Sequence, residues 1–415
     1  VLINTGALAG SSLWRIGLSF ALQLLIASRL GVEGLGQYAT ALAYLNVSQV
    51  LSELGLPQLL VRDLAQSPGQ RRALFWRAVV MQVAAGGLIW LALLGITTAF
   101  PLFTDTTRLA LLTVTASLPF FALSSVCITL FQSDERMEVV MGVEVVINGL
   151  ILAGSVALLG MGGGILHLTS LLIGTQFVSG AIYLILLWRS GILRTAPLGE
   201  GEPAAPAPPE SFPGLWRRAR PFYGLAIANV LLHRLDLLLL SAVAGEVIAG
   251  IYSAAYLVVR VFLILGQTYW QALYPTLSRL RLHSAEVYHR LAGMAIRYGL
   301  LALLPAAALI SGLADPLLRL IFPAESYADS VSVLRLLIWA VPLFLVTTYC
   351  INLLLIERVP RLGMMVAGVQ IGVTLLLLPP FTLLWQAAGT GLAILLSVLV
   401  SSLWGIGLLR RQGIP

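Results

Sequence analysis

Leu30-Gly31-Val32-Glu33-Gly34-Leu35-Gly36-Gln37-Tyr38-Ala39 comes back half a chain later as Ala244-Gly245-Glu246-Val247-Ile248-Ala249-Gly250-Ile251-Tyr252-Ser253. Gly31, Gly36, Tyr38 and Ala41 stand in register with Gly245, Gly250, Tyr252 and Ala255, each displaced by 214 positions. Such a repeat inside an apolar chain predicts two bundles facing a shared pathway. Glycine permits a tight turn and close helix approach, and the two tyrosines suit anchoring at a membrane interface. A helix hairpin in need of small residues explains either copy alone. It does not explain their common register.

The surrounding chain is that of a membrane protein. Of its 415 residues 59% are hydrophobic and only 10% charged, with a mean hydropathy of +0.94. A soluble core of this size needs far less apolar surface, whereas helices facing lipid need all of it. All 25 basic residues are arginine, and the net charge is +7. A basic balance can signal nucleic-acid binding, but these arginines gather at helix ends, as the positive-inside rule requires. Cys127 and Cys350 both lie inside apolar runs and read as embedded thiols, with no zinc-binding spacing. The first apolar segment carries Arg15 and reads as a span rather than a cleavable leader.

A helix crosses a bilayer in about 20 residues. The sequence predicts an all-α polytopic membrane protein of about twelve transmembrane helices. Their approximate limits are 3–30, 35–61, 73–100, 108–131, 138–160, 165–188, 215–243, 247–277, 290–313, 329–356, 361–383 and 387–409. Alternate loops collect seventeen arginines on one side against Arg29, Arg108 and Arg319 on the other. Both termini are therefore expected on the cytoplasmic side of the cell membrane. The stretch TAPLGEGEPAAPAPPE at 195–210 reads as a linker. It divides a first six-helix lobe at 1–190 from a second at 213–415, with 191–212 as the cytoplasmic connection. After it, Trp216-Arg217-Arg218-Ala219-Arg220 begins a basic amphipathic segment at the headgroup level. Even span numbers make the repeat parallel, about an axis along the membrane normal.

The segment Leu30–Ala39, followed by Ser52-Glu53-Leu54-Gly55-Leu56 and Val61-Arg62-Asp63-Leu64, resembles the early signature of a known family. Arg234-Leu235-Asp236 with Gly250-Ile251-Tyr252-Ser253-Ala254-Ala255-Tyr256 is similar to its second recognisable segment. The family is the polysaccharide/oligosaccharide (O-antigen flippase-like) branch of the multidrug/oligolipid/polysaccharide (MOP) exporter superfamily. The resemblance covers the whole chain through short motifs that do not specify the cargo. It implies two six-helix lobes in a V shape that expose a central cavity to each side in turn. It also implies a glycan on polyprenyl phosphate or pyrophosphate as cargo. Rocking of one lobe against the other would pass the sugar through a wet seam while the lipid tail stays in the bilayer.

The residues add their own reading, because ionisable groups within a bilayer are costly and face a cavity or a partner. Counting from Gly31 and Gly36 puts Arg15 and Glu53 at one depth; counting from Gly245 and Gly250 does the same for Asp236 and Arg260. Arg15, Arg234, Arg260 and Arg335 outnumber the embedded acids Glu53 and Asp236. Such a surplus of planar guanidinium suits an anionic headgroup, making these four arginines candidates for substrate binding. Glu53, Asp236 and His233 are candidates for ion pairing or for coupling to a proton or sodium gradient or the membrane potential. The competing reading is structural: each pair merely pins two helices, and Arg335 snorkels to the outer headgroups. Tyr269, Trp270 and Tyr274 read as an interfacial belt, with sugar stacking as the alternative.

No phosphate-binding loop, serine-hydrolase elbow or zinc-protease motif occurs, so a transporter rather than an enzyme is expected, with no cofactor. Expected partners are the polyprenyl-linked glycan, membrane lipids and the enzymes assembling that glycan, with a monomer as the working unit. The rivals are an ion-coupled multidrug exporter of the same superfamily, a membrane glycosyltransferase or polymerase, and a scaffold that transports nothing.

Overall fold

The computed structural model describes residues 2–66, 71–100, 102–192, 212–322 and 325–414, without the side chains of 2–16, 65 and 66. The linker at 195–210 thus lies outside the described residues. Thirteen α-helices follow one another. They are α1 (Leu2–Glu53), α2 (Leu56–Gln66), α3 (Arg71–Ala99), α4 (Asp105–Thr115), α5 (Leu118–Ser133), α6 (Met137–Gly160), α7 (Ile165–Ser190), α8 (Phe212–His283), α9 (Ala285–Gly312), α10 (Ala314–Ile321), α11 (Ser330–Leu337), α12 (Ala340–Ile356) and α13 (Pro360–Arg411). No strand occurs among the described residues.

Eight helical stretches among the described residues are long and apolar enough to cross a membrane, one of them α4 and α5 together (Asp105–Ser133). A ninth span comes from the pair Glu325–Leu337 and Ala340–Ile356, bent by 41°. Three helices are double-length and broken inside: α1 at Gly31 (φ 68°, ψ −166°), α8 at Gly245 (φ 79°, ψ −175°) and α13 at Trp385 and Gln386. Counting both arms of each brings the described spans to twelve, the number read from the sequence. Large apolar side chains take up much of the surface of these spans. Leu88 (69%), Trp188 (74%) and Leu376 (72%) stand exposed, which only a lipid surround makes tolerable.

Three expected spans are not continuous: 108–131 breaks between α4 and α5, 329–356 between α11 and α12, and 35–61 between α1 and α2. The helix predicted over 35–61 stops at Glu53 and resumes at Leu56, because Leu54 (φ 55°) and Gly55 (φ 70°) enter the left-handed region. A Cβ on Gly55 would lie 2.4 Å from the Tyr223 nitrogen, so the break also lets α8 approach. Local signals end other helices as expected. Thr104 caps α4 through the Thr107 N–H, and Gly191 closes α7 in the left-handed conformation.

By compactness the chain forms two units, one of Val1–Leu30 with Thr40–Val230, the other of Gly31–Ala39 with Leu231–Pro415. The first is centred on Leu56, Leu59, Leu60, Phe75, Leu130, Phe131 and Tyr183. Leu215 and Ala219 from the start of α8 join that core, which is why the division falls at Val230 inside α8. The second unit has its own core around Trp270, Leu277, Tyr288, Leu345, Tyr349 and Leu353.

Candidate functional site

The short segment Gly31–Ala39 belongs to the second unit because it packs against the other copy of its own phrase. A Cβ added to Gly36 would sit 1.8 Å from the Glu246 carbonyl oxygen; one added to Gly250 would sit 2.0 Å from the Val32 carbonyl oxygen. Glu246 is the repeat partner of Val32, and Gly250 of Gly36, so each glycine receives the carbonyl that its counterpart supplies. The contact is reciprocal, as a local two-fold axis demands. Both glycines are needed for distance, whereas Gly31 and Gly245 are needed for conformation. Nothing lies within 4 Å of where their Cβ would be, but their positive φ with extended ψ is a region that only glycine occupies readily.

Tyr38 and Tyr252, expected as interface anchors, are both buried. Ala41 and Ala255, three residues on, are buried as well. Tyr252 has a specific partner: its hydroxyl donates to Asp236 Oδ2 at 2.7 Å, and the Leu237 N–H donates to Oδ1 at 2.8 Å. Sixteen residues of straight helix would separate Asp236 and Tyr252 by about 24 Å. Their contact shows that α8 doubles back at Gly245.

This corrects the expected pairing of Asp236 with Arg260. The second arm of α8 is already helical just after Gly245, so depth must be counted from that break rather than from Gly250. Tyr252 then comes level with Asp236, and Arg260 lies two turns farther along. Tyr252 stacks on Tyr256 with ring centres 5.9 Å apart, and Tyr256 lies in the combined field of Asp236, Arg234 and Arg260. Among the described residues Arg234 makes no ion pair.

A partly open cavity of about 50 Å³ lies beside Asp236 within the second unit. His233, Asp236, Tyr256, Gln370 and Thr374 supply its polar wall; Leu231, Leu263, Phe344 and Ile371 are among its apolar lining. Gln267 Nε2 lies 2.9 Å from His233 Nε2, so the amide donates and the ring nitrogen accepts. Phe344 meets the same ring edge-on, with centroids 5.7 Å apart. Gln370 is buried, and its Oε1 has no hydrogen-bond partner. Space for a few water-sized groups thus lies beside one carboxylate and an amide oxygen that has no partner among the described residues.

The first unit holds a smaller polar cluster. Ser125 Oγ donates to Glu53 Oε1 at 3.0 Å, and Gln82 Nε2 reaches the Glu53 carbonyl at 3.4 Å. Gln82 is buried and its Oε1 is unpartnered. The side chain of Arg15, the expected partner of Glu53, lies outside the described residues. Arg335 is exposed on α11 and does not line the cavity at Asp236. Of the expected residues, His233 and Asp236 line the cavity, whereas Arg234, Arg260 and Arg335 do not, although Arg234 and Arg260 act on Tyr256 through their charge.

The expected aromatic belt also divides. Trp270 is 2% exposed and donates from Nε1 to the Leu345 carbonyl at 3.3 Å, while Tyr269 donates to the Ala295 carbonyl at 2.8 Å. Both serve helix packing, and Tyr274 alone of the three is exposed. Gln267, Gln370, Gln82 and Ser125 were not singled out in the sequence. Their one available signal was an amide or hydroxyl in an apolar span, which is too common among helix-packing residues to pick out a site.

The family described as "Polysaccharide biosynthesis protein" matches residues 1–281. Among curated proteins none matches the chain. Among solved structures, "Lipid II flippase MurJ, inward closed conformation" is similar with a TM-score of 0.75 at 14% identity, over 97% of this chain and 87% of that one. An inward-facing multidrug resistance MATE family transporter of the MOP superfamily is similar with a TM-score of 0.69 at 13% identity, over 96% and 94%. A MOP superfamily transporter from Pyrococcus furiosus Vc1 is similar with a TM-score of 0.64 at 13% identity, over 97% and 94%. At such identities the likeness is one of fold: the helical architecture of MOP transporters.

Proposed function

The chain belongs to the polysaccharide biosynthesis protein family, and from that premise we propose a flippase that carries a lipid-linked oligosaccharide from the cytoplasmic to the outer leaflet by alternating access. The cargo is a glycan on polyprenyl phosphate or pyrophosphate. The observation that carries this reading is the arrangement around Asp236. Its carboxylate accepts from Tyr252 and a backbone N–H, and Arg234, two residues away, feels its charge but makes no ion pair among the described residues. An embedded guanidinium without an ion pair is costly unless it meets an anion during the working cycle. Phosphate oxygens accept its paired N–H groups. Arg15 and Arg260 extend the same cationic set, and Arg335 adds a charge at the headgroup level.

Coupling runs through Asp236 and His233, with a proton or a sodium ion entering the cavity that Gln370 also lines. The protein works as a monomer in the cytoplasmic membrane with both termini inside, next to the enzymes that build its cargo. Reconstitution with a defined lipid-linked glycan, read on each leaflet, tests this directly. Transfer should occur, respond to an imposed proton or sodium gradient, and fall at least tenfold in Arg234→Gln. Absence of transfer, or an unchanged rate in that variant, would sink the proposal.

A second reading has one observation in its favour: the cavity has largely apolar walls and a single acid, which also suits an organic cation. Ion-driven efflux of a cationic dye from the same vesicles, without glycan transfer, would select it.

A further inference from the structure

The first unit carries a group of arginines that lies apart from Asp236 and its cavity. Arg62 Nε donates to Asp63 Oδ1 at 3.2 Å, and Arg218 Nη2 donates to Asp63 Oδ2. One carboxylate thus gathers two guanidiniums, one from α2 and one from the start of α8. Asp63 is nearly covered at 13% exposure, while Arg62 (53%) and Arg218 (43%) are about half exposed. The guanidinium of Arg62 lies over the Phe222 ring, 5.9 Å from its centre. Its Nη groups are left for another acceptor.

The platform beneath is rigid. Leu215 and Ala219 are buried with Leu56, Leu59 and Leu60, and Gly55 admits the Tyr223 backbone where no Cβ would fit. Trp216 and Tyr223 meet edge to face at 5.3 Å beside it. Arg217 and Arg220, both exposed, add charge within one turn of Arg218. A surface that is basic only for the sake of topology needs no such order. Here two like charges are drawn together by a shared acid, and one is set over a ring, which pre-orients donors for a second anion.

We propose that Arg62 and Arg218 form a docking site for lipid-borne phosphate at the arginine-rich face of the membrane. Asp63 holds the pair in place. Arg217 and Arg220 supply the attracting field, and Trp216 and Tyr223 sit at the headgroup level. The ligand is a phosphate or pyrophosphate ester anchored in the leaflet on that side, which the arginine asymmetry makes the cytoplasmic one. The site stands whether or not the transported cargo is a glycan.

The test uses the full-length protein in nanodiscs of neutral phosphatidylcholine. Farnesyl pyrophosphate is titrated in one arm, and phosphatidylglycerol is raised stepwise in the other. Binding is read by thermophoresis, and unfolding midpoints are recorded for every variant. R62Q/R218Q should weaken binding at least tenfold. R410Q/R411Q, an equal loss of charge on the same expected face, should change it less than twofold. R62K/R218K keeps the charge without the planar fork and should fall between them; it also decides the matter if the glutamine variant does not fold. A response to farnesyl pyrophosphate assigns the site to prenyl-linked headgroups, and a response to phosphatidylglycerol alone assigns it to bilayer lipid. Parental binding of both probes by R62Q/R218Q, or equal losses in R410Q/R411Q, would overturn the assignment.

Discussion

Gly36→Ala and Gly250→Ala provide a quantitative test of the reciprocal contact. To relieve the clash, the Gly36 site must open from 1.8 Å to the 3.4 Å of ordinary contact, and the Gly250 site from 2.0 Å. Each therefore demands a separation of roughly 1.5 Å, and in both cases the obstacle is a backbone carbonyl that cannot rotate away. Overpacking typically costs about 1–3 kcal/mol, and an obstacle of backbone puts each variant at about 3 kcal/mol. A shift of about 2 °C per kcal/mol, at the low end for large domains, lowers the unfolding midpoint by about 6 °C. The double variant is the informative one. One parting of the two segments relieves both clashes, so its midpoint should match that of either single variant, a coupling of about 3 kcal/mol. Thermal unfolding in detergent, followed by tryptophan fluorescence, measures all three. A double variant that loses the sum of the single losses would refute the shared contact.

Gly245→Ala should cost about 1–3 kcal/mol through backbone strain alone, since open space awaits the methyl group. An unchanged midpoint would show that the break in α8 tolerates an ordinary residue. Tyr252→Phe removes a donor from Asp236 and should destabilise by about 1.5–3 kcal/mol, because a hydrogen bond to a charged group is lost. Its ion dependence of transport should change with it, and if both measurements stay parental, Asp236 does not rely on that hydroxyl. Trp270→Ala should cost about 3–5 kcal/mol as a core truncation, while Tyr274→Ala on an exposed face should cost well under 1 kcal/mol. Equal midpoints for those two variants would restore the aromatic belt.

Much of this architecture was legible because membrane helices announce themselves by length and hydropathy. The twelve spans and the two helix-breaking glycines, Gly31 and Gly245, follow from that and from the repeat. The interruption at Leu54–Gly55 did not, since Leu54 is a left-handed non-glycine residue whose conformation is fixed by tertiary packing. The neighbourhood of Asp236 was half legible. An embedded acid beside His233 and Arg234 marks a site, but the hydroxyl that reaches it comes from Tyr252, and that depends on the helix restarting just after Gly245 rather than at Gly250. Tyr252 itself stood in the opening phrase, where its ring suggested an interface and its hydroxyl went unused. Gln370 comes from α13, far along the chain, and nothing local ties it to Asp236.

A patch that mates with its own copy is also what a two-fold dimer of identical chains requires. In a half-length ancestor, residues at the positions of Gly36 and Val32 would have met the same two residues of a sister chain, and any mutation would have struck both contacts at once. Within one chain the two copies are free to differ. The repeat partner of Asp236 is Leu22, a buried aliphatic residue, and the partner of Glu246 is Val32. The two copies are thus alike where they touch, Gly36 with Gly250, and unlike beside that contact, so the symmetry of the clasp does not extend to the carboxylates.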